Sequence, residues 1–200
     1  MSAAEVPPSS GIVLAGGRSS RFGRDKLAEL VGDRPLLHLA IEAVAAVSRD
    51  VIVVTAPGEQ PIVPPGTRIA HDETWFEGPL AGCFVGLVDA REPLALVVGG
   101  DMPSLEPAVL GLLVRTLGVS SADVAVLEHR GRRQQLPFAI RTGSGTDATR
   151  RLLAEGERSL GSLGHHLHVR ALSEEEWRPL DPDARTLRDV DEPADLPAAD

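Results

Sequence analysis

Short apolar runs alternate with amphipathic stretches along most of this sequence, and the alternation limits the folds that the chain can adopt. The apolar runs are rich in Val, Ile and Leu, which favour buried strands. Predicted strands cover residues 11–15, 51–55, 68–71, 94–98, 123–128 and 136–141, and predicted helices cover 35–47, 80–90, 107–117 and 147–155. Such alternation predicts repeated β-α units, and therefore an α/β fold with a mainly parallel sheet. We expect Thr146 or Asp147 to cap the last of these helices.

The length of the chain indicates one domain. It has 200 residues, with no internal repeat and no clear linker. We interpret residues 11–200 as a single domain and residues 1–10, which contain Pro and Ser, as a loose N-terminal tail. That tail has neither a basic start nor an apolar core, so it does not resemble a signal peptide.

Composition excludes several classes of protein. The net charge of −9 argues against a nucleic-acid partner, because phosphate contacts need a basic face. No apolar run approaches the roughly 20 residues that cross a bilayer, so we expect no membrane association. The single cysteine, Cys83, rules out an internal disulfide and fits a reducing environment. We therefore expect a cytoplasmic protein.

The strongest functional signal is LAGGRSSRFGRDK at residues 14–26, directly after the first predicted strand. Gly16 and Gly17 allow a sharp turn that brings backbone N–H groups close to an anion. Arg21 and Lys26 add positive charge there, and Lys26 is the only lysine in the chain. The segment is neither a P-loop nor G-x-G-x-x-G. It predicts a polyphosphate-binding loop, with a solvated basic turn as the alternative.

A second signal, Asp101, follows the buried run at 94–98 through two glycines. In open α/β sheets, ligands bind outside the carboxyl ends of the strands. A lone carboxylate at such a place suits a hard cation that is shared with substrate phosphates. The alternative is that Asp101 only caps the turn or the helix that follows.

The segment from Asp72 to Gly82 is a third signal. Its GPLAG sequence, at 78–82, predicts a tight turn into a helix that begins with small residues, where a flat ring could lie against the backbone. Simple helix–strand packing is the alternative. We interpret Cys83, on the same helix, as part of the core, because no neighbour would activate a thiolate.

Two polar clusters remain open to interpretation. The carboxylates of DVDEPADL, at 189–196, could supply a second oxygen ligand to a metal, or they could form a solvated acidic tail. His165, His166 and His168 lie at the edge of a strand-like run without cysteine or HExxH spacing, so we do not interpret them as a metal site.

Taken together, LAGGRSSRFGRDK, GPLAG, the tripeptide DMP at 101–103 and DVDEPADL resemble the molybdenum cofactor guanylyltransferase family of nucleotidyltransferases. The motifs occur in the family's order and at similar spacing, from residue 11 to residue 196. The resemblance implies a Rossmann-like three-layer α/β sandwich of the nucleotide-diphospho-sugar transferase type. It also implies Mg²⁺-dependent transfer of GMP from GTP to the terminal phosphate of molybdopterin, with release of pyrophosphate.

The resemblance assigns roles to residues by position. The implied catalytic residues are Arg21, Lys26 and Asp101. The implied nucleotide-binding residues are Leu14, Ala15, Gly16, Gly17, Lys26, Asp72, Gly82 and Asp101. Asp101 is also the implied Mg²⁺ ligand. The implied partners are GTP and a molybdopterin-type acceptor, with molybdoenzymes or other cofactor-biosynthesis proteins as candidate protein partners.

The chain departs from the family pattern at several positions. Thr55 stands where the family has an asparagine, and Asp189 and Asp191 replace the asparagines of N-x-N-T-P. The stretch GRRQQLP, at 131–137, only loosely matches the acceptor-side strand. A molybdenum cofactor cytidylyltransferase and a guanylyltransferase with another phosphorylated acceptor therefore remain alternatives. A third alternative is a non-catalytic module that binds nucleotide or cofactor, like a chaperone.

Overall fold

A computed structural model describes residues 5–16, 26–72 and 78–196. The strands in these ranges are β1 (Ser9–Leu14), β2 (Leu30–Val31), β3 (Arg34–Pro35), β4 (Asp50–Thr55), β5 (Thr67–His71), β6 (Leu94–Gly99), β7 (Val124–His129), β8 (Arg132–Arg141) and β9 (Val169–Leu172). The α-helices are α1 (Leu36–Ala45), α2 (Pro79–Asp89), α3 (Pro107–Val119), α4 (Thr142–Ala154) and α5 (Glu174–Trp177). Short 3-10 turns lie at Lys26–Ala28, Leu160–His165, Arg185–Leu187 and Pro193–Asp195.

Seven of the strands form one sheet in the order β5-β4-β1-β6-β8-β7-β9, and β2 and β3 form a separate hairpin. Among these described strands of the large sheet, β8 alone runs antiparallel to its neighbours. From β1 the chain builds outward through β4 and β5, then returns to place β6 on the other side of β1. Strand order therefore reverses between β1 and β6, which is where open α/β sheets bind ligands.

Helices cover both faces of the sheet. One core cluster packs α1 and α3 against alternate residues of the central strands, such as Val13, Val53 and Val98. A second cluster packs α2 and α4 against the residues between them, such as Ile12 and Val97. Side chains of successive strand residues point to opposite faces, so both faces of each central strand must be apolar. This arrangement confirms the predicted three-layer α/β sandwich.

The first strand begins earlier than the sequence predicted. Ser9 and Ser10 are fully buried and belong to β1, so the expectation of a loose tail is wrong for these two residues. Before the strand, Pro7 packs on α3, where a Cβ at Gly118 would lie 2.8 Å from Pro7 Cγ. A glycine in the helix therefore leaves room for this part of the N-terminal segment.

Other elements also differ from the predicted ones, and β2, β3 and β9 were not predicted. Helix α4 begins at Thr142, and Thr146 does not cap it: its hydroxyl donates to the Thr142 carbonyl oxygen at 2.7 Å, inside the helix. Strand β8 begins at Arg132, four residues before the start predicted at residue 136. Helix α5 was not predicted, and its Trp177 is buried and donates from Nε1 to the Glu128 carbonyl oxygen at 2.9 Å.

After α5 the chain returns across the face that carries α1 and α3. Asp181 accepts hydrogen bonds from the backbone N–H groups of Arg185 and Thr186, at 3.0 and 2.8 Å, and fixes the turn there. Val190 is buried against Leu36 at the start of α1. This path brings the carboxylates of residues 189–191 back to the sheet. None of the described helices is long and apolar enough to cross a membrane.

Candidate active site

The carboxyl ends of β1 and β6 meet at the point where strand order reverses. The Gly100 N–H donates to the Leu14 carbonyl oxygen at 2.9 Å, and the Ala15 N–H donates to the Val54 carbonyl oxygen at 2.8 Å. A Cβ at Gly100 would lie only 3.2 Å from the Leu14 oxygen, so the strand ends approach closely. The first residues of the Gly-rich segment and those preceding Asp101 therefore lie side by side.

Lys26 and Asp101 form an ion pair beside these strand ends. Lys26 Nζ donates to Asp101 Oδ2 at 2.8 Å, and the two side chains are 17% and 27% exposed. Partial burial makes such a pair stronger than one on an open surface. Asp101 Oδ1 lies against Gly99, where a Cβ would come within 2.5 Å of that oxygen. A glycine before Asp101 is thus required by the position of its carboxylate.

The C-terminal segment completes this cluster. Lys26 Nζ also donates to the Val190 carbonyl oxygen at 2.9 Å, and Asp191 Oδ1 lies 3.8 Å away. The Val190 N–H in turn donates to the Asp101 carbonyl oxygen at 2.9 Å. Lys26 therefore joins two segments that are 164 residues apart in the sequence. The acidic stretch at 189–196 is a structural part of this site and not only a solvated tail.

Negative charge exceeds positive charge among the described residues of the cluster. Loss of surrounding water, together with the charges of Asp101 and Asp191, raises the pKa of Asp189 above its usual value, although its own backbone N–H and Lys26 oppose the shift. A raised carboxyl pKa means that the site disfavours one more negative charge. A cation added to this cluster would relieve that repulsion.

The end of β4 lies between the ends of β1 and β5. The Asp72 N–H donates to the Thr55 carbonyl oxygen at 2.9 Å, which extends the pairing of these strands by one residue. A Cβ at Gly16 would lie 3.5 Å from Ala56 N and 3.7 Å from the Thr55 carbonyl carbon. The main chain at Thr55 therefore separates Gly16 on one side from Asp72 on the other.

The GPLAG turn begins α2 at the same carboxyl ends of the strands. Gly78 adopts φ 91°, and a Cβ there would lie 2.8 Å from the Arg158 carbonyl oxygen. The Leu80 N–H donates to that same oxygen at 3.2 Å. At Gly82, a Cβ would contact the side chains of Leu14 and Val54 at 3.5 and 3.7 Å. The start of α2 thus packs directly on the ends of β1 and β4.

Comparison with known proteins identifies the group to which this chain is related. A family model described as the MobA-like NTP transferase domain matches residues 11–171. This chain belongs to the MobA-like NTP transferase family. A probable molybdenum cofactor guanylyltransferase of Chloroflexus aggregans is 36% identical over 192 residues, which cover 94% of this chain and 91% of the relative. The resemblance inferred from the motifs is confirmed, and the protein is a nucleotidyltransferase.

Solved structures agree with the fold. The molybdopterin-guanine dinucleotide biosynthesis protein A of Archaeoglobus fulgidus superposes with a TM-score of 0.78, at 19% identity, over 94% of both chains. A Mycobacterium tuberculosis protein solved in complex with manganese gives a TM-score of 0.60, at 17% identity, over 88% of this chain and all of that one. The nucleotide-diphospho-sugar transferase type of sandwich is thereby confirmed.

Most of the site residues that the sequence predicted lie at the carboxyl ends of the strands. Leu14 ends β1, and Ala15 and Gly16 follow it; Asp72 follows β5, and Gly82 lies in the first turns of α2. Lys26 and Asp101 contact each other. Gly17 and Arg21 lie outside the described residues. The contact of Lys26 with Val190 was not predicted, and its only sequence signal was the run of carboxylates on either side of Val190.

Other residues lie away from the site or serve the core. Cys83 is fully buried in α2, and burial raises the pKa of its thiol to about 12, so its assignment to the core is confirmed. No group of three or more His, Cys, Asp or Glu side chains suited to a metal occurs among the described residues, His165, His166 and His168 included. The GRRQQLP stretch spans the turn between β7 and β8 and the first half of β8.

Proposed function

We propose that this chain transfers GMP from GTP to the terminal phosphate of molybdopterin and releases pyrophosphate, with Mg²⁺ as its cofactor. The observation that carries the proposal is the contact of Lys26 with both Asp101 and Val190, at the point where strand order reverses. It links the segment after β1, the segment after β6 and the C-terminal acidic stretch in one site. The name of the Chloroflexus aggregans relative supports the choice of substrates.

The donor set fits a magnesium ion. Asp101 gives one carboxylate oxygen to Lys26 and presents the other toward Gly99. Mg²⁺ is commonly held by one or two carboxylates and completed by substrate phosphates and water. The Mycobacterium tuberculosis protein of the same fold forms a complex with manganese, which supports a divalent cation here.

In the proposed reaction, a phosphate oxygen of the acceptor attacks the α-phosphorus of GTP. A bond forms between these atoms, and the bond from the α-phosphorus to the bridging oxygen breaks, so pyrophosphate leaves with the electron pair. A phosphate is already ionised at neutral pH, and no general base is required. Catalysis then consists of positioning and of charge stabilisation.

Different residues of the protein would position the nucleotide and stabilise its charge. Ala15 and Gly16 would contact the guanosine through the backbone, and Asp72 and Gly82 would line the same pocket. Lys26 would hold the Asp101 carboxylate in place and, with Arg21 and Gly17, contact the phosphates. Bound Mg²⁺ would supply positive charge that offsets the charge growing on the pyrophosphate, with Asp101 as its protein ligand.

We also propose that the chain from β1 onward acts as one domain, because Lys26, which follows β1, donates to the Val190 carbonyl oxygen near the C-terminal end of the described residues. The protein partners that we propose are molybdoenzymes or other proteins of cofactor biosynthesis. The proposed location is the cytoplasm, which agrees with a single, buried cysteine.

The experiment that tests this function is pyrophosphate release by the purified chain with molybdopterin and Mg²⁺, compared among GTP, CTP, ATP and UTP. Release with GTP alone is expected, and it should disappear when EDTA removes the metal. Release with CTP would show that the protein is a cytidylyltransferase. Release only with another phosphorylated acceptor would show that molybdopterin is not its acceptor. Binding of a triphosphate without any release would favour a non-catalytic module.

A further inference from the structure

We infer that His71 is a positioning residue for the nucleotide: through its hydrogen bond to Thr55 it fixes the ends of β4 and β5, and with them Asp72 and the backbone against which Gly16 lies. The inference rests on the proposed function, because it takes these two residues as part of the triphosphate pocket. It concerns a histidine to which neither the motifs nor the family resemblance assigns a role.

The contact that carries the inference joins a buried hydroxyl to an exposed ring. Thr55 is 1% exposed, and its Oγ1 lies 3.1 Å from His71 Nδ1. Other acceptors of this hydroxyl, the carbonyl oxygens of Ala56 and Glu59, are farther away at 3.3 and 3.5 Å. The hydroxyl can donate to an unprotonated Nδ1 or accept from a protonated one, so both forms of the ring can keep the contact.

Position in the sheet gives this contact its importance. Strand β5 is at the edge of the sheet and, among the described strands, pairs only with β4, where Thr55 is the partner of His71. The end of an edge strand is held by few bonds and opens readily. Beyond the pair, the Asp72 N–H donates to the Thr55 carbonyl oxygen at 2.9 Å. The side-chain bond between Thr55 and His71 is therefore next to the backbone bond that places Asp72.

Thr55 also lies next to the start of the Gly-rich segment. Gly16 is close to the peptide between Thr55 and Ala56, and the Ala15 N–H donates to the Val54 carbonyl oxygen at 2.8 Å. A rotation of the Thr55 peptide would move Asp72 and the support of Gly16 together.

Four variants separate positioning from a general structural role. Replacing His71 by Asn keeps a polar atom at the position of Nδ1, whereas Gln moves the amide one bond farther, toward the position of Nε2. His71→Ala removes the polar atoms at both ring positions. Thr55→Val removes the hydroxyl while keeping the shape of the side chain. His71 is exposed, so the substitutions there should leave the fold intact, which thermal unfolding verifies for each protein.

We expect His71→Ala and His71→Gln to raise the KM for GTP about fivefold, the loss that corresponds to one ordinary hydrogen bond. The kcat and the KM for the acceptor should stay unchanged, and His71→Asn should behave like the wild type. Thr55→Val should raise the KM for GTP to the same extent. Adding His71→Ala to Thr55→Val should then have no further effect, because both remove the same bond.

The dissociation constant for GTP, measured by calorimetry with Mg²⁺ and without acceptor, gives the same information independently of transfer. If the wild type binds GTP and His71→Ala binds it equally tightly, this inference is wrong and the proposed function stands. The inference is also wrong if Asn, Gln and Ala at position 71 weaken binding equally. A wild type that binds no triphosphate overturns the proposed function itself.

Discussion

Opposite ends of the central strands carry charge clusters of different kinds. At the amino ends, the guanidinium of Arg68 donates to both oxygens of Asp50, at 2.9 and 2.7 Å, and to Asp89 at 3.1 Å. Ser10 donates to Asp50 at 2.9 Å and accepts from the backbone N–H groups of Arg91 and Glu92. Burial by itself would raise the pKa of Asp50, yet the hydrogen bonds from Arg68 and Ser10 hold it below its usual value.

At the carboxyl ends, the described residues of the cluster are one cation, Lys26, and three carboxylates, Asp101, Asp189 and Asp191. There the pKa of Asp189 is raised, whereas that of Asp50 is lowered. In the first cluster, hydrogen bonds from Arg68 and Ser10 favour the charged form of Asp50, so we expect this cluster to serve stability. Among the described residues, the second cluster has more carboxylates than cations and the pKa of Asp189 is raised, and perturbed carboxyl pKa values are common at functional sites. The two clusters should therefore respond differently to mutation.

Removing Lys26 should have the largest effect. Lys26→Ala deletes the charge that holds Asp101 and the C-terminal segment together, and we expect turnover to fall by at least about 10²-fold, the scale of losing one preorganised donor. Steady-state pyrophosphate release measures it. Arg68→Ala, which removes a cation from the amino ends, is the matched control and should keep the turnover of the folded protein. Near-normal activity of Lys26→Ala would contradict the assignment.

The amino-end cluster should affect stability instead. Asp50→Ala leaves Arg68 and Ser10 without their common acceptor, and we expect it to lower the free energy of unfolding by about 2 kcal/mol. Urea denaturation at pH 7 checks this value. Asp147→Ala breaks an exposed pair with Arg150 at 2.9 Å and should cost less than about 0.5 kcal/mol. Equal costs for the two variants would mean that the amino-end pair is no stronger than a surface pair.

The effect of Asp50→Ala on stability should depend on pH. Because the pKa of Asp50 is lower in the folded protein than in the unfolded chain, its contribution is present above the unfolded pKa and is lost as pH falls through the folded pKa. The difference in stability between the wild type and Asp50→Ala should therefore shrink in acid. A difference that stays constant down to the acid limit of folding would show that the charge of Asp50 is not responsible.

The smallest effect is expected at Asp189. Its pKa is raised in the folded protein, so its charged form opposes folding at neutral pH, and that cost disappears as pH falls below the unfolded pKa. Asp189→Asn should raise the unfolding midpoint slightly at pH 7 and not at pH values where the carboxyl is protonated in both states. A lower midpoint at pH 7 would show that the carboxylate is needed by the fold.

The sequence predicted the central architecture because burial on both faces of a parallel strand leaves a continuous apolar run, as in LALVV at 94–98. It also placed Gly16 and Asp101 just after two such runs, and these runs form the neighbouring strands β1 and β6. Antiparallel β8 and the early start of α4 were missed, because neither strand direction nor a helix start without a side-chain cap is visible in the pattern.

Contacts between distant segments were beyond sequence reasoning. The bond from Lys26 to the Val190 carbonyl oxygen involves a backbone atom, which no residue type marks. The bond between Thr55 and His71 depends on the register of β4 with β5, which the two runs do not specify. Motifs predicted which segments carry the chemistry, and long-range packing determined how they are joined.

The central claim is that one end of the strands performs the chemistry and the other end stabilises the fold. The most direct measurement compares Asp101→Asn with Asp50→Asn for pyrophosphate release from GTP with Mg²⁺ and molybdopterin, and for the unfolding midpoint. We predict that Asp101→Asn loses at least about 10²-fold in turnover and lowers the midpoint less than Asp50→Asn does, and that Asp50→Asn keeps its turnover. Normal turnover by folded Asp101→Asn would contradict the account.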